Sequence, residues 1–182
     1  MKKKAIIISV KGHSLTKKEI KILLKEKPWG LILFKRNIKN IHQIKHLITD
    51  IKKYTKDKNF PILIDEEGLT VSRLSNIFHH NLNVNFFGNL FKSNKKLAVS
   101  LYKSYLKSLC SKLTEIGINI NTIPVLDVLR KTTNKIIGKR SFSNKKEIVK
   151  EFGKITIKVC QKNKILTVMK HIPGHGCATK DS

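Results

Sequence analysis

Short apolar runs alternate along the chain with longer stretches whose apolar residues recur every three or four positions. Ala5–Val10, Gly30–Phe34 and Pro61–Ile64 read as buried strands, the third ending at Asp65. Thr16-x-x-Glu19 is the pattern of a capping box, in which each side chain bonds the other's backbone N–H. It opens a helix to about Lys25 with Ile20, Leu23 and Leu24 on one face. Ile41–Tyr54 reads as a second helix, with Ile44, Leu47, Ile48 and Ile51 at helical spacing. A polar, Asn-rich segment from about Ser75 to Asn94 reads as a long loop with small elements. Leu97–Ile116 reads as a long helix closed by Gly117, because glycine takes the left-handed conformation that ends a helix without strain. Ile118–Ile120 and Val125–Leu126 are short extended pieces. Asn144-x-x-Glu147 opens another helix to about Asn163, and a final strand, about Ile165–Met169, delivers Lys170.

Strand, helix, strand, helix with near-continuous apolar strands is the pattern of a parallel sheet covered by helices. The polar clusters Lys35-Arg36-Asn37, Asp65-Glu66-Glu67, Asp127 and Lys170-His171 each follow a strand. A closed barrel collects such strand ends around one mouth, so the pattern favours an α/β fold of the TIM-barrel type over a doubly wound open sheet. The chain supplies roughly five of the eight strand–helix units that a barrel needs. Residues 1–182 thus read as the N-terminal portion of one (β/α)8 barrel domain, truncated at the C-terminus, with no internal repeat or linker.

Composition changes this picture little. The formal net charge is +26, from 38 basic and 12 acidic residues. Such an excess suggests a polyanion, but the lysines spread along the whole chain, and only Arg36, Arg73, Arg130 and Arg140 are arginine. Together with abundant Ile and Asn, the lysines fit an AT-rich coding bias that fills solvated faces. Three cysteines, Cys110, Cys160 and Cys177, with no CxxC pair indicate neither a disulfide framework nor a zinc knuckle and fit a reducing compartment. Met1-Lys2-Lys3-Lys4 and the apolar run after it imitate a signal peptide only faintly, because the run is short and Lys11 stands where a cleavage site would be. No stretch reaches the roughly 20 apolar residues of a membrane span.

The candidate chemistry sits in two places. Asp65-Glu66-Glu67-Gly68 ends a strand in a chain poor in acidic residues, and suggests hydroxyl binding, acid/base work or a divalent metal. Lys170-His171-Ile172-Pro173-Gly174-His175-Gly176 follows the last strand as a loop of ionisable side chains. His171 and His175 have HxxxH spacing, but Pro173 and Gly174 between them forbid one helical face, so the spacing argues against a zincin-type site. Asp181, ten residues after His171, is an acidic residue able to orient a loop histidine. Arg73 and Arg140 are scarce arginines plausible for their planar forks. No P-loop, dinucleotide fingerprint or nucleophile elbow is present.

Taken together, GLILFKRN (Gly30–Asn37), LIDEEG…VSRL (Leu63–Leu74), GININTIPVLDV (Gly117–Val128), IGKRSFS (Ile137–Ser143) and KHIPGHG…DS (Lys170–Ser182) occur in the order and spacing of a known family. The chain resembles the N-terminal part of family 3 glycoside hydrolases, specifically the single-domain bacterial β-N-acetylhexosaminidases of peptidoglycan recycling. The resemblance implies a cytoplasmic hydrolase that removes terminal β-linked N-acetylglucosamine from muropeptide-type glycosides. It implies retention through a covalent glycosyl-enzyme with an aspartate nucleophile, no cofactor or metal, and a monomer at full length. By motif match, Asp65 hydrogen-bonds sugar hydroxyls, Arg73 lines the same subsite, and Arg140, Lys170 and His171 contact the N-acetylglucosamine unit. Asp181 pairs with an acid/base histidine expected directly after Asp181-Ser182, and the nucleophile belongs to later strands.

Two departures from the family pattern stand out. Gly68-Leu69-Thr70 replaces Gly-Gly-Arg, so Leu69 faces a possible demand for positive φ, and Ile172 replaces a phenylalanine in an apolar slot. The 182-residue chain reads as an open reading frame cut through its own active site, and is expected to be inactive alone. Rival readings are a β-glucosidase of the same superfamily, a basic nucleic-acid-binding module and a sugar-binding pseudoenzyme. The nucleic-acid reading has the charge but lacks an RGG run, an aromatic platform or a DNA-reading motif.

Overall fold

The computed structural model describes residues 3–180, so Asp181 and its expected role lie outside the described residues. Five parallel strands, β1 (Lys4–Ile8), β2 (Pro28–Leu33), β3 (Ile62–Ile64), β4 (Ile120–Asn121) and β5 (Leu166–Thr167), lie side by side in sequence order. A doubly wound sheet would reverse its strand order at a switch point; unbroken sequential order is the winding of a barrel. Pairing links the strands through Ile8↔Leu31, Leu31↔Ile62, Leu63↔Ile120 and Asn121↔Thr167, with one register shift in β1 between Lys4 and Ile7. Beyond β4 and β5 an isolated bridge joins Val125 to Lys170.

Five helices fill the connections: α1 (Lys17–Glu26), α2 (Ile41–Thr55), α3 (Val84–Ser93), α4 (Lys95–Ile116) and α5 (Lys146–Lys162). The Thr16–Glu19 capping box forms as the sequence predicts. Gly117 ends α4 at φ 98°, a left-handed cap. Ile44, Leu47, Ile48 and Ile51 of α2 and Leu106, Leu109 and Leu113 of α4 bury their stripes against Leu31, Leu33, Ile62 and Ile64. A second layer of rings, Phe87, Tyr102, Phe142 and Phe152, joins α3, α4, the 142 segment and α5.

Three expectations are corrected. The Ser75–Asn94 segment is not all loop, since α3 occupies 84–93. Its Asn-rich start masks a helix that forms because Val84 and Phe87 bury against the core. The helix expected to open at Asn144 opens at Lys145 with no side-chain cap; the Ser143 hydroxyl instead accepts from the Lys145 N–H. The first strand is not fully buried: Ile6 and Ile7 are each 46% exposed, because β1 has a sheet neighbour on one side only. β5 is the opposite edge, and Leu166, Val168 and Met169 near it are exposed too.

Gly88 of α3 marks the tightest helix-to-backbone approach. A Cβ there would lie 1.7 Å from the Phe142 carbonyl oxygen, which belongs to a main chain that cannot turn aside. Gly88→Ala should therefore destabilise the fold by about 1–3 kcal/mol, the usual cost of overpacking, as read from the denaturant midpoint. An unchanged midpoint would show that α3 is free to shift.

Candidate functional site

Each strand of the sheet hands its chemistry to the same end. Asp65 follows β3, Thr122 follows β4, and Lys170 follows β5. Their side chains meet. The Lys170 ammonium donates to Asp65 Oδ1 at 3.1 Å and Thr122 Oγ1 at 2.9 Å, and pairs with Glu67 Oε1 at 2.6 Å. An ammonium has three protons, so these three acceptors saturate it. Thr122 also donates its hydroxyl to Asp65 Oδ1.

Glu67, in turn, accepts a two-pronged ion pair from Arg140, with Nε to Oε2 at 2.8 Å and Nη2 to Oε1 at 3.0 Å. That fork-on-carboxylate geometry is one that lysine cannot make. Arg140 sits on a 3₁₀ turn, Gly138–Arg140, in the long connection between β4 and α5. Arg73 approaches Asp65 from the other side, Nη2 to Oδ2 at 3.4 Å, and lies over the Phe34 ring at 5.9 Å.

Asp127 organises the loop after β5. Its side chain is fully buried and pairs through Oδ2 with His171 Nδ1 at 2.6 Å. Its Oδ1 accepts from the backbone N–H groups of His175 at 2.5 Å and Gly176 at 3.0 Å. With Nδ1 donating to Asp127, the His171 Nε2 has no hydrogen-bond partner among the described residues. Gly176 is required here, since a Cβ would stand 2.5 Å from the Val128 carbonyl oxygen.

Asp65, Glu67, Arg73, Arg140, Lys170 and His171 line one cleft of ≈ 490 Å³, with Thr70, Val71 and Ile136 completing it. Five of these residues are the predicted substrate contacts. Glu67 and Asp127 were not assigned to the site from sequence, although Glu67 stood in an acidic run and Asp127 alone at a strand end, and Thr122 gave no local signal. Among the described residues, Asp127 is the carboxylate that pairs with His171. The three consecutive carboxylates do not act together: Asp65 and Glu67 face Lys170, whereas Glu66 is buried beneath the loop against His80. Leu69 is 55% exposed and is not among the positive-φ residues, so the altered loop makes no glycine demand at that position. Ile172 is 72% exposed, not in an apolar slot, because the loop turns its side chain away from the core.

Burial opposes ionisation of Asp65, but the Thr122 hydroxyl, Lys170 and Arg73 together outweigh it and hold the carboxyl below the usual range. Asp127 follows the same balance, with burial opposed by His171 and by the His175 and Gly176 amides. The Glu67 pairing raises Arg140 further, against its own burial. At neutral pH the cleft therefore offers fixed carboxylate acceptors and fixed cationic donors. Asp65 Oδ2, met only by a long Arg73 contact among the described residues, is open to a ligand hydroxyl. Such a rim is chemically able to exchange hydrogen bonds with hydroxyl groups, whereas an ionised, ion-paired carboxylate is a poor general acid.

A parallel, sequentially wound β/α sheet with this cleft at its strand C-termini is the architecture of part of a β/α barrel, with the cleft at the barrel's C-terminal mouth. The chain belongs to glycosyl hydrolase family 3, whose N terminal domain model matches residues 3–182. It is similar to the β-hexosaminidase of Hydrogenovibrio crunogenus, 29% identical over 177 residues that make up 97% of this chain and 49% of that protein. Native NagZ from Neisseria gonorrhoeae superposes with a TM-score of 0.87 at 30% identity, over 99% of this chain and 52% of that one. A family 3 β-N-acetylglucosaminidase from Paenibacillus sp. gives 0.83 at 26% identity, over 97% of this chain and 33% of that one. The chain spans about half the length of the curated relatives it matches, 49% and 52% for two of them. No helix among the described residues is long and apolar enough to cross a membrane.

The depressed carboxyls make a pH prediction. A group whose folded pKa lies below its unfolded value of about 3.9 stabilises the fold above that value and loses the contribution as pH falls through the folded pKa. Wild-type Tm should thus drop steeply below about pH 4, and Asp127→Asn should flatten that drop while lowering Tm at pH 7. Parallel acid profiles for the two proteins would remove Asp127 from the acid transition.

Proposed function

We propose that this chain forms the sugar-binding half of a retaining β-N-acetylhexosaminidase acting on terminal β-linked N-acetylglucosamine of muropeptide-type glycosides. The observation that carries the reading is the Asp65–Lys170–Glu67–Arg140 ion network, with Arg73 beside it, at the C-terminal ends of β3 to β5. The relative from Neisseria gonorrhoeae has a structure in complex with N-trifluoroacetyl-D-glucosamine, and that chain is 29% identical to this one with a TM-score of 0.85. That likeness supports an N-acetylated sugar as ligand.

Asp65, through its open oxygen, accepts hydrogen bonds from two sugar hydroxyls, and Arg73 lines the same subsite. Arg140, Lys170 and the free Nε2 of His171 face the N-acetylglucosamine unit. Lys170 has no spare proton among its present partners, so its part is to hold Asp65 and Glu67 in place and to set the local potential. The acid/base histidine and aspartate nucleophile implied by the family resemblance are not among these sugar contacts. A barrel that lacks both loses the covalent route, and loss of an acid/base group alone costs about 10²–10⁴ in rate. The complete enzyme works as a cytoplasmic monomer in peptidoglycan recycling, as the family resemblance implies.

Two measurements test this. The purified 182-residue chain should not hydrolyse an aryl N-acetyl-β-glucosaminide above a matched blank. Calorimetry should nevertheless detect N-acetylglucosamine binding, weakened at least about tenfold by Asp65→Ala, since a lost charged hydrogen bond is worth about 1.5–3 kcal/mol. Glucose bound as tightly as N-acetylglucosamine would favour a β-glucosidase specificity instead.

A further inference from the structure

Glu66 is the middle carboxylate of the acidic run and the one that the cleft does not use. Its side chain and that of His80 are fully shielded from solvent. Oε2 accepts from the backbone N–H groups of Arg73 at 2.8 Å and Leu74 at 2.9 Å. Oε1 meets His80 Nε2 at 2.6 Å, and His80 Nδ1 meets the Tyr105 hydroxyl at 2.8 Å. The Glu66 main chain is gripped as well: Asn121 Oδ1 accepts from its N–H at 3.0 Å, and Asn121 Nδ2 donates to its carbonyl at 2.9 Å. A continuous buried chain of hydrogen bonds therefore runs from α4, through His80 and Glu66, to the backbone of Arg73, with β4 as its footing.

The proton positions follow from who must donate. Burial, with the Glu66 charge beside it, raises the Tyr105 phenol above its ordinary range, so it stays an O–H donor. Tyr105 then donates to His80 Nδ1, which leaves the proton on Nε2 to face Glu66. Three N–H donors thus surround the Glu66 carboxylate, the coordination that lets a buried charge persist.

We propose that Glu66, His80 and Tyr105 form a positioning relay that fixes Arg73 for sugar binding. Arg73 gains little support at its own end. Its Nη2 contact to Asp65 is 3.4 Å long, and its buried Nε meets no acceptor among the described residues. Beyond these and the Phe34 ring at 5.9 Å, its placement leans on its backbone, and that backbone is held by Glu66. The energetic argument is one of preorganisation: a guanidinium already aimed at the ligand loses less freedom when the ligand arrives. The inference rests on the sugar-binding reading of Arg73.

The test pairs N-acetylglucosamine calorimetry with the NMR signal of the Arg73 Nε–H, both on the 182-residue chain. Tyr105→Phe keeps the ring packing and removes one hydroxyl, so it avoids the folding risk of Glu66→Ala. It should weaken sugar binding about three- to tenfold, one neutral hydrogen bond's worth, and broaden the Arg73 Nε–H signal. In an Arg73→Ala background the same change should have no further effect on affinity, because coupled residues are non-additive. Glu66→Gln should bind nearly as wild type: its amide oxygen can serve both N–H groups, and its NH₂ can face the other histidine tautomer. Equal weakening by Tyr105→Phe with and without Arg73, or an Arg73 signal that ignores Tyr105→Phe, would overturn the relay. Failure of wild type to bind the sugar, with the Arg73 signal still responding, would sink the ligand assignment and leave the relay standing.

Discussion

The structure of the mouth depends on one ammonium group. Lys170 reaches Asp65, Glu67 and Thr122 at once, and so ties the ends of β3, β4 and β5 together where only an isolated backbone bridge, Val125 to Lys170, continues the pairing. β4 and β5 are only two residues long as paired strands, so their ends need other anchoring. The lysine is 15% exposed and Glu67 4%, a setting in which removal of one partner leaves the others charged and poorly solvated. The cost of desolvating the cluster is offset by its mutual ion pairs, which fix its groups in place. This is how a site built on loops gains the precision of the sheet beneath it.

Sequential winding explains why these residues meet at all. Asp65 and Lys170 are 105 residues apart, yet parallel strands in order 1 to 5 put every C-terminal end on one rim. The same winding leaves β1 and β5 as edges with exposed apolar side chains, Ile6 and Ile7 at one and Leu166, Val168 and Met169 at the other. Closure of a barrel would pair both edges and cover that surface. The ion-paired cluster lies toward β3 to β5 and draws its contacts from within the arc of five strands.

Much of this was legible from the residues. Apolar runs located all five strands, and helical periodicity located α1, α2, α4 and α5. Strand ends followed by charge located Asp65, Lys170 and His171. What was hidden is what tertiary contact decides. α3 begins in an Asn-rich stretch and exists because Gly88 lets its backbone meet Phe142. Asp127 looked like a lone acidic residue; that its two oxygens serve His171, His175 and Gly176 is knowable only once the loop folds back over it. Glu66 and Glu67 are adjacent and chemically alike, and no local rule says that one faces the cleft and the other the core.

The charge of the chain, which dominates its composition, has little part in the cleft. The cleft pairs two carboxylates, Asp65 and Glu67, with three cations, Arg73, Arg140 and Lys170, a near balance inside a protein carrying +26. Arginine tells more than lysine. Three of the four arginines lie at the strand C-terminal rim: Arg36 donates to the Val10 carbonyl and to Ser9 and stacks on Phe34, Arg73 lies over the same ring, and Arg140 forks onto Glu67. Where a compositional drift toward lysine is tolerated, the side chain's task is solvation, which any cation performs. Where arginine persists against that drift, a planar group with fixed donors is needed to brace a loop or face a ligand. In a lysine-saturated chain, the arginines are thus the better guide to where shape as well as charge matters.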